Sequence, residues 1–158
     1  MQTGQDHVDT TAPSSVVHHG SCLCGAIRVS VRGPLAPLVY CHCAQCRRTA
    51  GAPFITVLPV PREAFALEDL HGLLGTYRAT PDKARCFCTR CGAPVMSVRD
   101  GSADVRVRAG LFEELAGITY GGHIFAAERA PWETITDDLP QYAALEPGRA
   151  VISGSNQP

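Results

Sequence analysis

The stretch Cys41-His42-Cys43-Ala44-Gln45-Cys46-Arg47-Arg48 (CHCAQCRR) packs three cysteines into six residues. A tetrahedral metal site takes four ligands, so this segment either finds a fourth elsewhere or leaves a position open. Two more clusters accompany it: Cys22-Leu23-Cys24, and Cys86-Phe87-Cys88-Thr89-Arg90-Cys91-Gly92. In a strand, residues two apart point to one face, so a CxC pair aims two sulfurs together. A CxxC followed by Gly is the zinc-knuckle turn, in which the glycine lets the chain double back at little steric cost. One-residue spacings suit ligand placement better than disulfides, and clustered cysteines in a reducing compartment point to metal.

One CxC plus one CxxCG supplies four sulfurs, a closed site of structural type. Cys22, Cys24, Cys88 and Cys91 would make it, leaving Cys41, Cys43 and Cys46 as a trio with a vacancy, the usual form of a catalytic zinc site. Spacing alone does not force this division. Cys86 could complete a second four-sulfur site, making both metals structural, or stand apart as a buried thiol behaving as a small hydrophobe.

The remainder of the chain bounds the problem. Its 158 residues suit one domain with a real core. With 45 % apolar and 18 % charged residues it reads as globular. Lys+Arg and Asp+Glu nearly cancel, at 14 and 15, so no electrostatic footprint for nucleic acid or an anionic membrane is expected. No apolar run is long enough to cross a bilayer, and the polar start MQTGQDHVDTTAPSS lacks a signal peptide's greasy middle. A cytoplasmic location is the expectation.

Two-residue alternation dominates between the ends. Ala26–Val31, Phe54–Val60 and Leu73–Ala79 read as strands, Pro94 to Gly110 as two strands joined by a turn at Asp100-Gly101, and His123–Ala127 as a further short strand. Ala44–Ala50 predicts a helical turn and Pro61–Leu70 a short helix. The expected fold is mainly β with little helix, its small sheets stapled by metal. Residues 1–17 are expected to be a disordered tail, 18–145 a single zinc-binding β domain and 146–158 a flexible tail.

The order Gly20-Ser21-Cys22-Leu23-Cys24-Gly25, then Cys41 to Arg48, then Phe87-Cys88-Thr89-Arg90-Cys91-Gly92 resembles the family of glutathione-dependent formaldehyde-activating enzymes and centromere-protein-V-like proteins. The stretch His123–Ile135, with Trp132, is similar to that family's closing segment. The resemblance spans about residues 20–141. It implies a β-tent fold, similar to that of a small zinc-binding exchange factor for Rab GTPases. It also implies two Zn²⁺ per chain, one structural on Cys22, Cys24, Cys88 and Cys91, one catalytic on Cys41, Cys43 and Cys46. Cys86 matches no family ligand. The implied activity is that of a carbon–sulfur lyase condensing formaldehyde, or a related aldehyde, with the thiol of glutathione.

Three thiolates on Zn²⁺ leave a net charge of −1, a weak Lewis acid suited to holding a soft, still nucleophilic thiolate. Glutathione carries two carboxylates, and Arg47 and Arg48 follow the trio directly, so an arginine fork there would grip one. Solvated turn residues are the plainer reading of that pair. His42 would point away from the flanking sulfurs if the segment were a strand. His123 would line the pocket as a base or serve as a structural histidine. Trp132 and Phe54 read as core aromatics. The competing function is a non-catalytic, zinc-stapled protein-interaction module with two structural metals, and nothing in the sequence fixes an oligomeric state.

Overall fold

The computed structural model describes residues 16–148, and most of the two expected tails lies outside the described residues. Two open sheets pack face to face. The smaller joins β1 (Val17–Ser21), β2 (Ile27–Arg32) and β5 (Phe65–Asp69), all antiparallel, in the order β1-β2-β5. The larger contains β3 (Leu38–Cys41), β4 (Ile55–Pro61), β6 (Leu74–Thr80), β7 (Lys83–Cys88), β8 (Pro94–Arg99), β9 (Asp104–Arg108) and β10 (Tyr120–Ile124). Its order is β10-β3-β4-β9-β8-β7-β6, antiparallel except where β10 runs parallel to β3. The architecture is mainly β, as the alternation in the sequence predicts.

Alternation places the core. Ile27, Val29 and Val31 of β2 are buried while Arg28 and Arg32 are exposed. They meet Leu58 and Val60 of β4 and Val105 and Val107 of β9 between the sheets. Each fully buried aliphatic side chain here contributes about 1.5–3 kcal/mol. Pro59 and Pro61 are tolerated in β4 because β3 pairs only with Ile55, Thr56 and Val57, leaving the far end of β4 unpaired on that side.

The far face of the larger sheet carries the chemistry. Val39 and Cys41 of β3 oppose Val57 and Ile55 of β4, Val57 opposes Arg108 of β9, Arg106 opposes Ser97 of β8, and Ser97 opposes Arg85 of β7. Directly opposed residues share a face. One surface therefore runs from cysteine at one end to arginine at the other.

Two expectations are corrected. Pro61–Leu70 is not a helix: a single 3₁₀ turn at Arg62–Ala64 leads into β5, whose Phe65, Leu67 and Asp69 alternate with exposed Ala66 and Glu68 against β2. Pairing with a neighbouring strand outweighs the weak helix propensity. The late strand is β10, ending at Ile124. Phe125 then takes a left-handed conformation (φ 53°) and a 3₁₀ turn follows at Ala126–Glu128.

Candidate functional site

Cys22, Cys24, Cys88 and Cys91 bring their Sγ atoms within 4.8 Å of one another, as do Cys41, Cys43 and Cys46. All eight cysteines are free thiols. The donor set tests whether a metal fits. A tetrahedron of sulfurs about 2.3 Å from zinc has edges of about 3.8 Å. The Cys22–Cys24 and Cys24–Cys88 sulfurs lie 3.6 and 3.8 Å apart. The residues of the four-cysteine cluster therefore suit a soft tetrahedral ion.

That cluster ties the sheets together. Cys22 and Cys24 sit in the turn after β1, not in a strand, and Cys22 Sγ accepts the Ile27 N–H at 3.3 Å. Cys88 ends β7 and Cys91 lies in the knuckle, where the Gly92 N–H donates to Cys88 O at 2.8 Å with Gly92 at φ 74°. The Ala93 backbone N–H, first among several donors, holds the Cys91 thiol down to about 6. Cys86 shares β7 with Cys88 but belongs to neither cluster. Cys86 and Cys88 pair in unbroken register with Thr76 and Leu74 of β6, so the exclusion of Cys86 is one of position along the strand: it lies two residues before the strand end at which Cys88 meets Cys22, Cys24 and Cys91. Cys86 is buried, 3.9 Å from Thr76 Oγ1.

The trio is built from the end of β3 and the start of α1 (Ala44–Ala50). Cys43 occupies the N-cap, where its sulfur accepts the Cys46 N–H at 3.4 Å. All three thiols are at most 5 % exposed. The Cys46 thiol is strongly acidified, by hydrogen bonds from Cys41 and Cys43 first and then by the Arg108 and Arg85 charges, while the same sulfur contacts drive Cys41 well upward. Three sulfurs so close cannot ionise independently, and a bound cation would relieve their mutual repulsion.

Arginine surrounds the trio. Arg85 Nη2 lies 3.8 Å from Cys46 Sγ and donates to Gln45 Oε1 at 3.0 Å. Arg85 and Arg108 are each 5 % exposed. Burial pushes the Arg106, Arg108 and Lys83 side chains below their ordinary pKa values, and the cysteine thiolates pull all three back up. These cations were not legible as site residues: Arg106 and Arg108 fall in the Pro94 to Gly110 stretch that reads as two plain strands, and no motif marks Lys83 or Arg85.

Behind the trio runs a histidine chain. His42 leaves the strand path between Cys41 and Cys43 and is fully buried. Its Nδ1 lies 3.2 Å from Glu133 Oε2 and its Nε2 2.8 Å from His123 Nδ1, and His123 Nε2 lies 3.1 Å from both Asp137 oxygens. Ionised carboxylates only accept, so filling every link takes three protons on two rings that carry two when neutral. Burial holds His42 below its ordinary value, and the Leu139 N–H and then His123 hold Asp137 down. Tyr40 packs over His123 with ring centres 5.0 Å apart, and Phe54 over His42 at 5.3 Å. Glu133 and Asp137 have no sequence motif that announces them.

Arg47 donates from Nε to His42 O at 3.2 Å and from Nη2 to Glu128 O at 3.3 Å, tying α1 to the closing segment. Arg48 is on the exposed side of α1. Trp132, expected in the core, is 69 % exposed.

Two open sheets joined by a four-cysteine cluster, with a three-cysteine cluster set among buried arginines, define a class: mainly β proteins with candidate sites for soft metal ions. The chain belongs to the glutathione-dependent formaldehyde-activating enzyme family, whose model matches residues 17–128. All seven clustered cysteines, His42, His123, Arg85 and Arg108 fall within that span, while Glu133 and Asp137 lie beyond it. A crystal structure of a Rhodobacter sphaeroides protein is similar in fold, with 20 % identity and a TM-score of 0.51 over 66 % of this chain and 98 % of that one. Among the described residues, no helix is long and apolar enough to cross a membrane.

Proposed function

We propose that this chain joins formaldehyde, or a related small aldehyde, to the thiol of glutathione as a cytoplasmic carbon–sulfur lyase, acting at Cys41, Cys43 and Cys46. The observation that carries the reading is the ligand count. Among the described residues, the trio gathers three sulfurs with no fourth Cys, His, Asp or Glu donor in the group, whereas the other cluster gathers four. Cys22, Cys24, Cys88 and Cys91 would hold a structural zinc and the trio a catalytic one. A three-thiolate zinc supplies a position that acidifies an incoming thiol while leaving its sulfur nucleophilic.

The reaction balances without a redox partner. A carbon–sulfur bond forms at the aldehyde carbon, the C=O π pair moves to oxygen, and the proton lost by the thiol is matched by the one the new hydroxyl gains. The protein's residues provide the setting. Arg85, against Cys46, offsets the cluster's negative charge. The N-cap bond fixes Cys43 relative to Cys46. Glu133 and His123 clamp the His42 ring and so hold the backbone between Cys41 and Cys43. The aromatic rings of Tyr40 and Phe54 cover that network.

Two-dimensional exchange NMR on glutathione–formaldehyde mixtures tests the reading. The zinc-loaded protein should accelerate exchange between free glutathione and its S-hydroxymethyl adduct, and Cys43→Ser should abolish the acceleration. The near-complete burial of the trio favours a second reading, a zinc-stapled interaction module with two structural metals. An exchange rate equal to the protein-free rate would select that module.

A further inference from the structure

We propose that the cavity flanked by Arg85 and Arg108 is the subsite that binds a carboxylate of the thiol substrate. The inference rests on the functional reading above and adds to it the residues that recognise the substrate. The cavity has a volume of about 240 Å³, and its walls include Thr49, Tyr77, Arg85, Phe87, Met96 and Arg108. Thr49 belongs to α1, which carries Cys46, and Arg85 lies against Cys46 Sγ. The cavity thus adjoins the trio. Tyr77 pairs with Arg85 across β6 and β7 and is 64 % exposed, so it marks the open rim.

Charge and hydrogen bonding both call for an anion. Two guanidinium groups, each 5 % exposed, border this cavity. Buried charge requires a partner. Three thiolates and a divalent cation would sum to −1, and both Arg85 and Arg108 face that charge, so two guanidinium groups meet a single negative charge and one is left over. Arg108 also has donor capacity to spare. Its Nη1 donates to Arg106 O at 3.2 Å, but its buried Nε has no hydrogen-bond partner among the described residues. Gln45, held by Arg85, likewise has a buried Nε2 without one. A carboxylate matches an arginine fork in shape and charge. The apolar walls from Phe87 and Met96 suit the methylenes that carry it. Arg47, by contrast, already directs two donors to backbone carbonyls.

The test uses S-methylglutathione, which has no thiol to react or to ionise, against its diethyl ester, titrated calorimetrically into the full zinc-loaded chain. A charged hydrogen bond of this kind is worth roughly ten- to hundred-fold in affinity. The free acid should bind at least about ten-fold more tightly than the ester, and Arg108→Met should bring the ratio to within about two-fold at unchanged zinc content. A wild-type ratio near one overturns the proposal, as does a full ratio in Arg108→Met. Should that variant fail to fold, Arg108→Lys keeps the charge without the fork. It should lose at least about three-fold of the ratio, and an unaltered ratio there overturns the proposal equally. The two readings separate cleanly. Acid selectivity without accelerated exchange sinks the lyase reading alone, and accelerated exchange without acid selectivity sinks the subsite alone.

Discussion

Arg85 Nη2 lies 3.8 Å from Cys46 Sγ, a contact that spans 39 positions of sequence and joins β7 to α1. It puts a buried, permanently charged donor on a sulfur that two neighbouring thiols already acidify. Arg85→Met should therefore weaken metal retention at the trio by roughly ten-fold or more, the worth of a hydrogen bond between charged partners. Chelator competition should show one of two metal ions leaving early while the other is held as in wild type. Arg85→Lys should recover part of the loss.

The two clusters should fail differently. Cys88→Ser breaks the staple between the sheets, so it should cost one zinc per chain together with much of the cooperative unfolding transition. Cys46→Ser should cost one zinc but keep near-native circular dichroism. Cys86→Ser should retain both ions, because that thiol belongs to neither cluster. Metal content and circular dichroism on the three variants decide the matter.

The histidine chain should be stiff at one end and soft at the other. His42 is fully buried beside Glu133, which is 9 % exposed, so His42→Ala strands a buried carboxylate. The expected loss is about 3 kcal/mol or more. Asp137 is 49 % exposed, and Asp137→Ala should cost about 1 kcal/mol or less. Denaturant unfolding at saturating zinc measures both.

Asp69 closes the turn before β6 by accepting the Leu73 and Leu74 N–H groups at 2.9 and 2.8 Å, and those bonds lower its pKa. A carboxylate depressed in the folded state adds stability above its unfolded pKa of about 3.9, and that stability is lost as pH falls through the folded value. The melting-temperature gap between wild type and Asp69→Ala should be full at pH 6 and close progressively below about pH 4. A gap that widens on acidification would contradict the assignment.

Much of this molecule can be read from its sequence, for identifiable reasons. Strands such as Ile27–Arg32 declare themselves because one face is dry and the other wet. The cysteine clusters stand out because thiolate ligands need close, regular spacing. The AQCRRTA segment forms α1 as its composition suggests. What escaped depends on the second covered face of the larger sheet. Arg106 and Arg108 alternate with Val105 and Val107, the pattern of a half-exposed strand, and no local signal tells that the polar half is also buried. The partners of His42 are 81 and 91 residues away, so its role is set by tertiary contact alone. The CxC geometry departs from strand alternation for a similar reason. Cys22 and Cys24 sit in a turn, and Cys43 caps a helix, so turn and cap conformations bring the sulfurs together where strand alternation was expected.

The trio's open position is most directly tested by zinc K-edge X-ray absorption of the fully loaded protein with and without glutathione. Averaged over two ions, the spectrum without glutathione should require an oxygen or nitrogen scatterer besides sulfur, and saturating glutathione should replace it with sulfur, taking the mean close to four sulfurs per zinc. Four sulfurs per zinc before any thiol is added, unchanged afterwards, would contradict the account and leave two structural metals on a scaffold.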